Sequence, residues 1–292
     1  MKVLRPRPRL ILAIVAVLLL SALVVGVFGR RMAQAALVRS PNYHVKAFAP
    51  IPGEIRVEVS SPPASLSLEL MNVEAPRGTV FVLHGIRDRK ESERGFGRQL
   101  QERGFRAVLV DLRGHGRSTG QWLSYGVIES QDLKRVLDDL TERKLVDGSV
   151  GVMGISYGAA TAIEWASIDP RIKAVVAIAP FASLRAVVPG YSPIELPSST
   201  LNGIIDDAAK EANFDPDLAS PSAAITKTKA PTLLIHGRDD SRIPFWHAVE
   251  IADAGGGHTE LIVVPGEDHD SIGADRTGTI RDRGFGWFVK HL

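Results

Sequence analysis

The residues with chemistry to offer gather around one serine. Gly154-Ile155-Ser156-Tyr157-Gly158 follows the apolar run Val150-Gly151-Val152-Met153 and precedes Ala159 and Ala160, the start of a small-residue helical pattern. A strand that turns sharply into a helix holds the side chain at the bend clear of its neighbours, and flanking glycines let strand and helix approach closely. The first N–H groups of that helix favour negative charge developing beside the hydroxyl. A serine capping an ordinary helix would give the same five residues, so the reading depends on partners elsewhere in the chain. An alcohol is a poor nucleophile at neutral pH. It needs a base within hydrogen-bond reach and a third group to fix the base's tautomer. His269, in the turn Pro265-Gly266-Glu267-Asp268-His269 after the last apolar run, fits the base. The acid lies in Gly237-Arg238-Asp239-Asp240-Ser241-Arg242-Ile243-Pro244. Consecutive side chains point apart, so one aspartate faces His269. The spacing to Ile243-Pro244 favours Asp240, and Asp239 is the alternative, suited also to a capping turn.

Acyl transfer through such a serine requires two N–H donors for the oxyanion. The backbone of Tyr157, next after the nucleophile, supplies one. The loop after the first parallel strand, at Ile86, supplies the other. The remaining histidines read as structural: His84, His115 and His236 stand at strand ends and support turns, His247 lies in a helix, and His44, His258 and His291 are solvated.

These groups must be carried by a scaffold, and its pattern is regular. Ile55–Val59 and Leu66–Val73 alternate apolar and polar residues, as half-exposed antiparallel strands do. The runs at 79–83, 107–110, 150–153, 173–178, 232–235 and 261–264 are nearly continuous apolar, the signature of parallel strands buried on both faces. Amphipathic segments lie between them. In Ser130–Lys144, Leu133, Val136, Leu137 and Leu140 share one face. This alternation predicts an open α/β architecture, a mostly parallel sheet with helices on both faces. In such sheets chemistry sits beyond the carboxyl ends of the strands, where Ser156, Asp240 and His269 all fall.

His84-Gly85, Asp111-x-Arg113-Gly114-x-Gly116-x-Ser118, Gly154-x-Ser156-x-Gly158, Gly237-x-x-Asp240-x-x-Ile243-Pro244 and Gly266-x-x-His269 resemble the α/β-hydrolase superfamily in type, order and spacing, over roughly residues 55–292. The turn at 113–118 is similar to that of bacterial esterase, monoacylglycerol-lipase and prolyl-aminopeptidase-like members. The resemblance implies an α/β-hydrolase fold and a Ser156–His269–Asp240 triad, with no metal or organic cofactor. A serine nucleophile departs from the haloalkane dehalogenase and epoxide hydrolase branches, which use aspartate there. It further implies that residues 181–229, with five prolines and one helical pattern after Ser199, form a cap over the site. The apolar residues of that helix, with Tyr191, Leu196 and Phe214, would then line an acyl pocket. The expected substrate is an ester or thioester with an apolar acyl group, a lipid-derived one included. A peptidase, with Asp206, Asp207 or Glu211 binding an α-amine, is the enzymatic alternative, and a catalytically silent binding module the non-enzymatic one.

The N-terminus belongs to another regime. Leu10–Phe28 is an unbroken uncharged run. As a helix it would be roughly 28 Å long, about the hydrocarbon thickness of a bilayer. Lys2, Arg5, Arg7 and Arg9 precede it, whereas Arg30 and Arg31 follow. The larger basic cluster predicts a single-pass anchor over residues 1–30 with a cytoplasmic N-terminus and an exported hydrolase domain. Cleavage near Ala33-Gln34-Ala35, giving a secreted protein, is the alternative. Residues 31–53 read as a linker and 54–292 as the domain. Residues 1–40 hold seven Lys/Arg and no acid, leaving 28 basic against 33 acidic residues in the body. That acidic balance offers no nucleic-acid footprint. The absence of cysteine excludes disulfides, thiolate metal sites and a cysteine nucleophile.

Overall fold

The strands are short apolar runs whose side chains alternate between two cores. Val80 and Val82 of β3 (Thr79–Leu83) pack on one side of the sheet with Phe105, Leu109, Phe285 and Phe288. Phe81 and Leu83 of the same strand pack on the other with Val108, Leu137 and Trp165. A period of two thus buries every residue of a five-residue strand. The computed structural model describes residues 26–292. Its eight strands form one sheet in the order β1-β2-β4-β3-β5-β6-β7-β8, where β1 is Ile55–Ser60, β2 Pro63–Met71, β4 Arg106–Val110, β5 Val150–Ile155, β6 Ile172–Ile178, β7 Thr232–Gly237 and β8 Thr259–Val264. β1 and β2 are antiparallel, β2 meets β4 antiparallel, and the remaining pairs are parallel.

Residues 26–38 are helical (α1). The helices that follow are α2 (Arg94–Glu102), α3 (Val127–Glu142), α4 (Tyr157–Ile168), α5 (Leu184–Val187), α6 (Ser198–Ala212), α7 (Pro221–Ala224), α8 (Trp246–Gly255) and α9 (Phe285–His291). The helix expected from Ser130 starts at Val127 because a cap forms upstream. The Glu129 carboxylate accepts from the N–H groups of Ser124 (3.1 Å) and Gly126 (3.0 Å), and the Ser124 hydroxyl accepts from the Ile128 N–H at 2.7 Å. Residues 181–229 leave the sheet between β6 and β7 and carry α5, α6 and α7.

The segment expected to be a linker is instead fastened to the domain along much of its length. Val38 is fully buried, packed against Ala208 and Ala212 of α6. The Ser40 hydroxyl donates to Gly120 O at 2.6 Å, and the Asn42 amide donates to Gly116 O and Ser118 O. These contacts go to backbone carbonyls of a glycine-rich turn, which leave no mark in sequence periodicity. The uncharged Leu10–Phe28 run lies outside the described residues except for its last three. Among the described residues, no helix is long and apolar enough to cross a membrane.

Candidate active site

Ser156 sits at the bend between β5 and α4 with φ 54° and ψ −112°, a conformation that a side chain adopts only under strain. The surroundings fix it there. Its N–H donates to Ile178 O at 2.7 Å. Gly154 and Gly158 are required by contact. A Cβ on Gly154 would lie 2.3 Å from the Gly158 carbonyl carbon, and one on Gly158 would lie 2.5 Å from Leu83 O and 2.6 Å from His84 O. Strand β5, helix α4 and the end of β3 therefore meet backbone to backbone.

His269, in the loop after β8, reaches back over the sheet. Its Nε2 lies 3.1 Å from Ser156 Oγ, and its Nδ1 lies 2.6 Å from Asp240 Oδ2. The structure thus brings together Ser156, His269 and Asp240, and it separates the two candidate acids: Asp240 is buried and Asp239 is exposed. Oδ1 of Asp240 accepts from the N–H groups of Arg242 (3.0 Å) and Ile243 (2.8 Å), leaving Oδ2 for the imidazole. Burial alone would raise the Asp240 pKa. Hydrogen bonds from His236, His269 and the Ile243 N–H outweigh it and hold the group well below the usual carboxylate range. A permanently ionised acid facing Nδ1 keeps the proton on that nitrogen and the Nε2 lone pair toward Ser156.

Tyr157 is the first residue of α4, so its N–H precedes the intrahelical ladder and is open to an acceptor. The Ile86 loop lies alongside: a Cβ on Gly85 would be 3.9 Å from Ser156 Cβ. His84 holds this loop. Leu112 N–H donates to its Nε2 at 3.0 Å, which places the proton on Nδ1, and Nδ1–H donates to Gly85 O at 2.7 Å. Burial lowers the His84 pKa to about 4, so the ring is a neutral clamp. Asp111 ties the same loop from below, accepting from the Lys90 N–H and Nζ and from the Arg117 N–H. His236 Nε2–H donates to Ile243 O at 2.7 Å and steadies the acid's loop.

Two buried carboxylates behind the elbow escaped the sequence reading of roles. Glu129 accepts from the Tyr157 hydroxyl at 2.8 Å and so anchors the residue next to the nucleophile. The one available signal is its place four residues before Leu133, on the apolar face of α3. Glu164 is buried, and neither of its carboxyl oxygens has a hydrogen-bond partner. Burial, reinforced by nearby Glu129, pushes its pKa well above the ordinary carboxyl value.

The cap helix does not line an acyl pocket with its whole apolar face. Ile205 enters the main core, and Ala208 and Ala212 pack on Val38. Leu196 and Leu201 do line an open groove of about 400 Å³, with Pro189 and Ile194. Among the described residues, no three histidine or acidic side chains converge so as to hold a metal ion.

Residues 42–193 match the family described as X-Pro dipeptidyl-peptidase (S15 family). That span includes Ile86, Ser156 and Tyr157, whereas Asp240 and His269 lie beyond it. YqkD, an uncharacterized protein of Bacillus subtilis, is 29% identical over 196 residues, covering 65% of this chain and 64% of that protein; the chain thus spans less than two thirds of this relative. Among solved structures, an esterase of Pyrococcus furiosus superposes with a TM-score of 0.66 at 23% identity, covering 82% of this chain and 91% of its own. MGS-M2, an alpha/beta hydrolase enzyme from a Medee basin deep-sea metagenome library, superposes with a TM-score of 0.57 at 20% identity, covering 79% and 97%. The fold is the α/β-hydrolase fold.

Proposed function

Because the chain belongs to the X-Pro dipeptidyl-peptidase (S15) family, and is a hydrolase by that membership, we propose that it cleaves esters or thioesters of apolar acyl groups through an acyl-enzyme on Ser156. The observation that carries this reading is one line of contacts: Ser156 Oγ to His269 Nε2 at 3.1 Å and His269 Nδ1 to Asp240 Oδ2 at 2.6 Å, with the serine held at positive φ. In this mechanism His269 takes the hydroxyl proton as Ser156 Oγ attacks the acyl carbon. Asp240 stabilises the imidazolium, and the N–H groups of Tyr157 and Ile86 receive the oxyanion. The imidazolium then protonates the leaving alcohol or thiol. Water, deprotonated by the same ring, releases the acid and restores Ser156.

A peptidase is the second reading, since the family's description names one. Recognition of a substrate amine would call for an unengaged carboxylate over the site. The acids of α6 are each held by an arginine: Asp206 by Arg185, Asp207 by Arg30 and Glu211 by Arg39. That pairing removes the α6 acids as amine-binding candidates and leaves Glu195, which lines the groove, as the carboxylate a peptidase would use. The membrane attachment expected from residues 1–30 is part of the same proposal and supports an apolar substrate. The test is turnover by the full-length chain in detergent of p-nitrophenyl esters from acetate to octanoate, set against Gly-Pro-p-nitroanilide. Ester hydrolysis that rises with acyl length and vanishes in Ser156→Ala is expected. Efficient anilide cleavage with no ester turnover would overturn the proposal.

A further inference from the structure

The cap helix and the helix that emerges from the apolar N-terminal run are bound together in parallel. Arg30 donates to Asp207 and to Gly203 O, Gln34 donates to Asp207, Val38 packs on Ala208 and Ala212, and Arg39 pairs with Glu211. Numbers rise together along both helices. Residue 26 therefore lies about 6 Å, one turn, before Arg30, level with the start of α6. The segment just before α6 is the largely apolar strip Pro189–Leu196, interrupted by Ser192 and an exposed Glu195, in which Tyr191 is 53% and Ile194 63% exposed. Val27, Phe28 and Met32 of α1 are also exposed. Exposed large apolar residues on two neighbouring elements are uncommon on a surface that faces only water. The strip also borders the site: a Cβ on Gly190 would lie 3.1 Å from Arg242 O, and the Arg242 N–H donates to Asp240.

We infer that the Pro189–Leu196 strip, with the exposed start of α1, is a lipid-contacting face that brings the mouth of the Ser156 site to the bilayer surface, so that the substrate is an acyl ester drawn from that surface. Three facts select lipid as the occupant. The sixteen residues Leu10–Val25 that precede α1 are uncharged and, continued to Phe28, long enough to span hydrocarbon. They join the domain level with the start of α6, which the strip directly precedes in sequence. Arg31, exposed and apart from the Arg30–Asp207 clamp, follows directly, where a basic side chain meets headgroups. The parallel clamp of α1 on α6 fixes the distance between the anchor and the strip, and with it the orientation of the cap.

This inference rests on the hydrolase reading, and its test separates the two. The chain has no cysteine, so Ile194→Cys and, on the far helix α2, Glu102→Cys each carry a single environment-sensitive fluorophore. The full-length proteins are reconstituted in phosphatidylcholine–phosphatidylglycerol vesicles with and without doxyl-labelled lipid. A blue-shifted probe at 194 that doxyl lipid quenches, beside an unquenched probe at 102, is expected. A probe at 194 that stays water-exposed overturns the inference. So does a dry probe that doxyl lipid leaves unquenched, since that marks cover by protein, whether residues 1–25 or a second copy. In parallel, Met32→Asp, on the exposed start of α1, should lower turnover of a vesicle-borne long-chain ester about tenfold, the change expected for one apolar side chain lost from a lipid contact. Hydrolysis of soluble p-nitrophenyl acetate should stay within about twofold, since Met32 lies on α1, outside the triad and the groove lining. Equal losses on both substrates refute the surface role and leave the hydrolase intact, whereas absence of turnover on either by the unaltered protein refutes the hydrolase reading itself.

Discussion

Asp240→Asn isolates the tautomer argument, because the structure dictates how the amide must sit. Oδ1 of Asp240 accepts from two backbone N–H groups, Arg242 at 3.0 Å and Ile243 at 2.8 Å. Asparagine keeps those bonds only by placing its carbonyl oxygen there, which turns its NH2 toward His269 Nδ1. The imidazole must then offer a lone pair at Nδ1 and carry its proton on Nε2, pointing at Ser156, where a base is needed. Restoring the productive tautomer requires flipping the amide and leaving one buried and one part-buried N–H donor unpaired, at about 1–3 kcal/mol each. The resulting 2–6 kcal/mol corresponds to a loss of roughly 30-fold to ten-thousandfold in kcat, with the upper end matching what removal of such a carboxylate costs in related triads. The assay is steady-state hydrolysis of p-nitrophenyl butyrate beside a thermal melt. A fall in kcat near the upper end is expected with the fold retained, and exposed Asp239→Asn should change nothing. Should Asp240→Asn keep kcat within about fivefold of the unaltered protein, too little for even one unpaired donor, the assignment of the acid would be wrong.

The packing beneath the nucleophile gives a second expectation. Gly158→Ala places a Cβ 2.5–2.6 Å from two strand-end carbonyl oxygens, so α4 must shift by roughly 1 Å, costing about 1–3 kcal/mol of unfolding free energy in denaturant titration and about a hundredfold in kcat. Gly286→Ala in α9, with open space at its Cβ, should instead stabilise by about 0.5–1 kcal/mol. Glu164 gives a pH signature. Its pKa is raised in the folded state above the ordinary 4.5, so its contribution to stability is complete below pH 4.5 and declines as pH rises, by about 1.4 kcal/mol per pH unit. Glu164→Gln removes that decline. Its melting temperature relative to the unaltered protein should therefore climb between pH 5 and 8, and a pH-independent difference would contradict a raised pKa at this buried acid.

Much of this was legible in residue order. The sheet strands announce themselves as apolar runs, and Ser156, Asp240 and His269 each follow one, so a parallel sheet delivers them to a common edge. The choice between Asp239 and Asp240 became definite only with burial and the two amides that fix Oδ1. Other features had no periodic signal to read. The packing of residues 38–42 runs through backbone carbonyls at 114–120, the Glu129–Tyr157 bond links two helices, and the arginine partners of the cap acids come from the N-terminal stretch 30–39 and from Arg185. Pairings of this kind are set by tertiary proximity, which composition and spacing do not encode.

The central claim is that the hydroxyl of Ser156 is activated by His269. A fluorophosphonate probe followed by peptide mass mapping measures this most directly. One adduct, on the peptide bearing Ser156, absent from Ser156→Ala and strongly slowed in His269→Ala, is the outcome the account requires. Labelling of a different residue, or labelling that survives in Ser156→Ala, would contradict it.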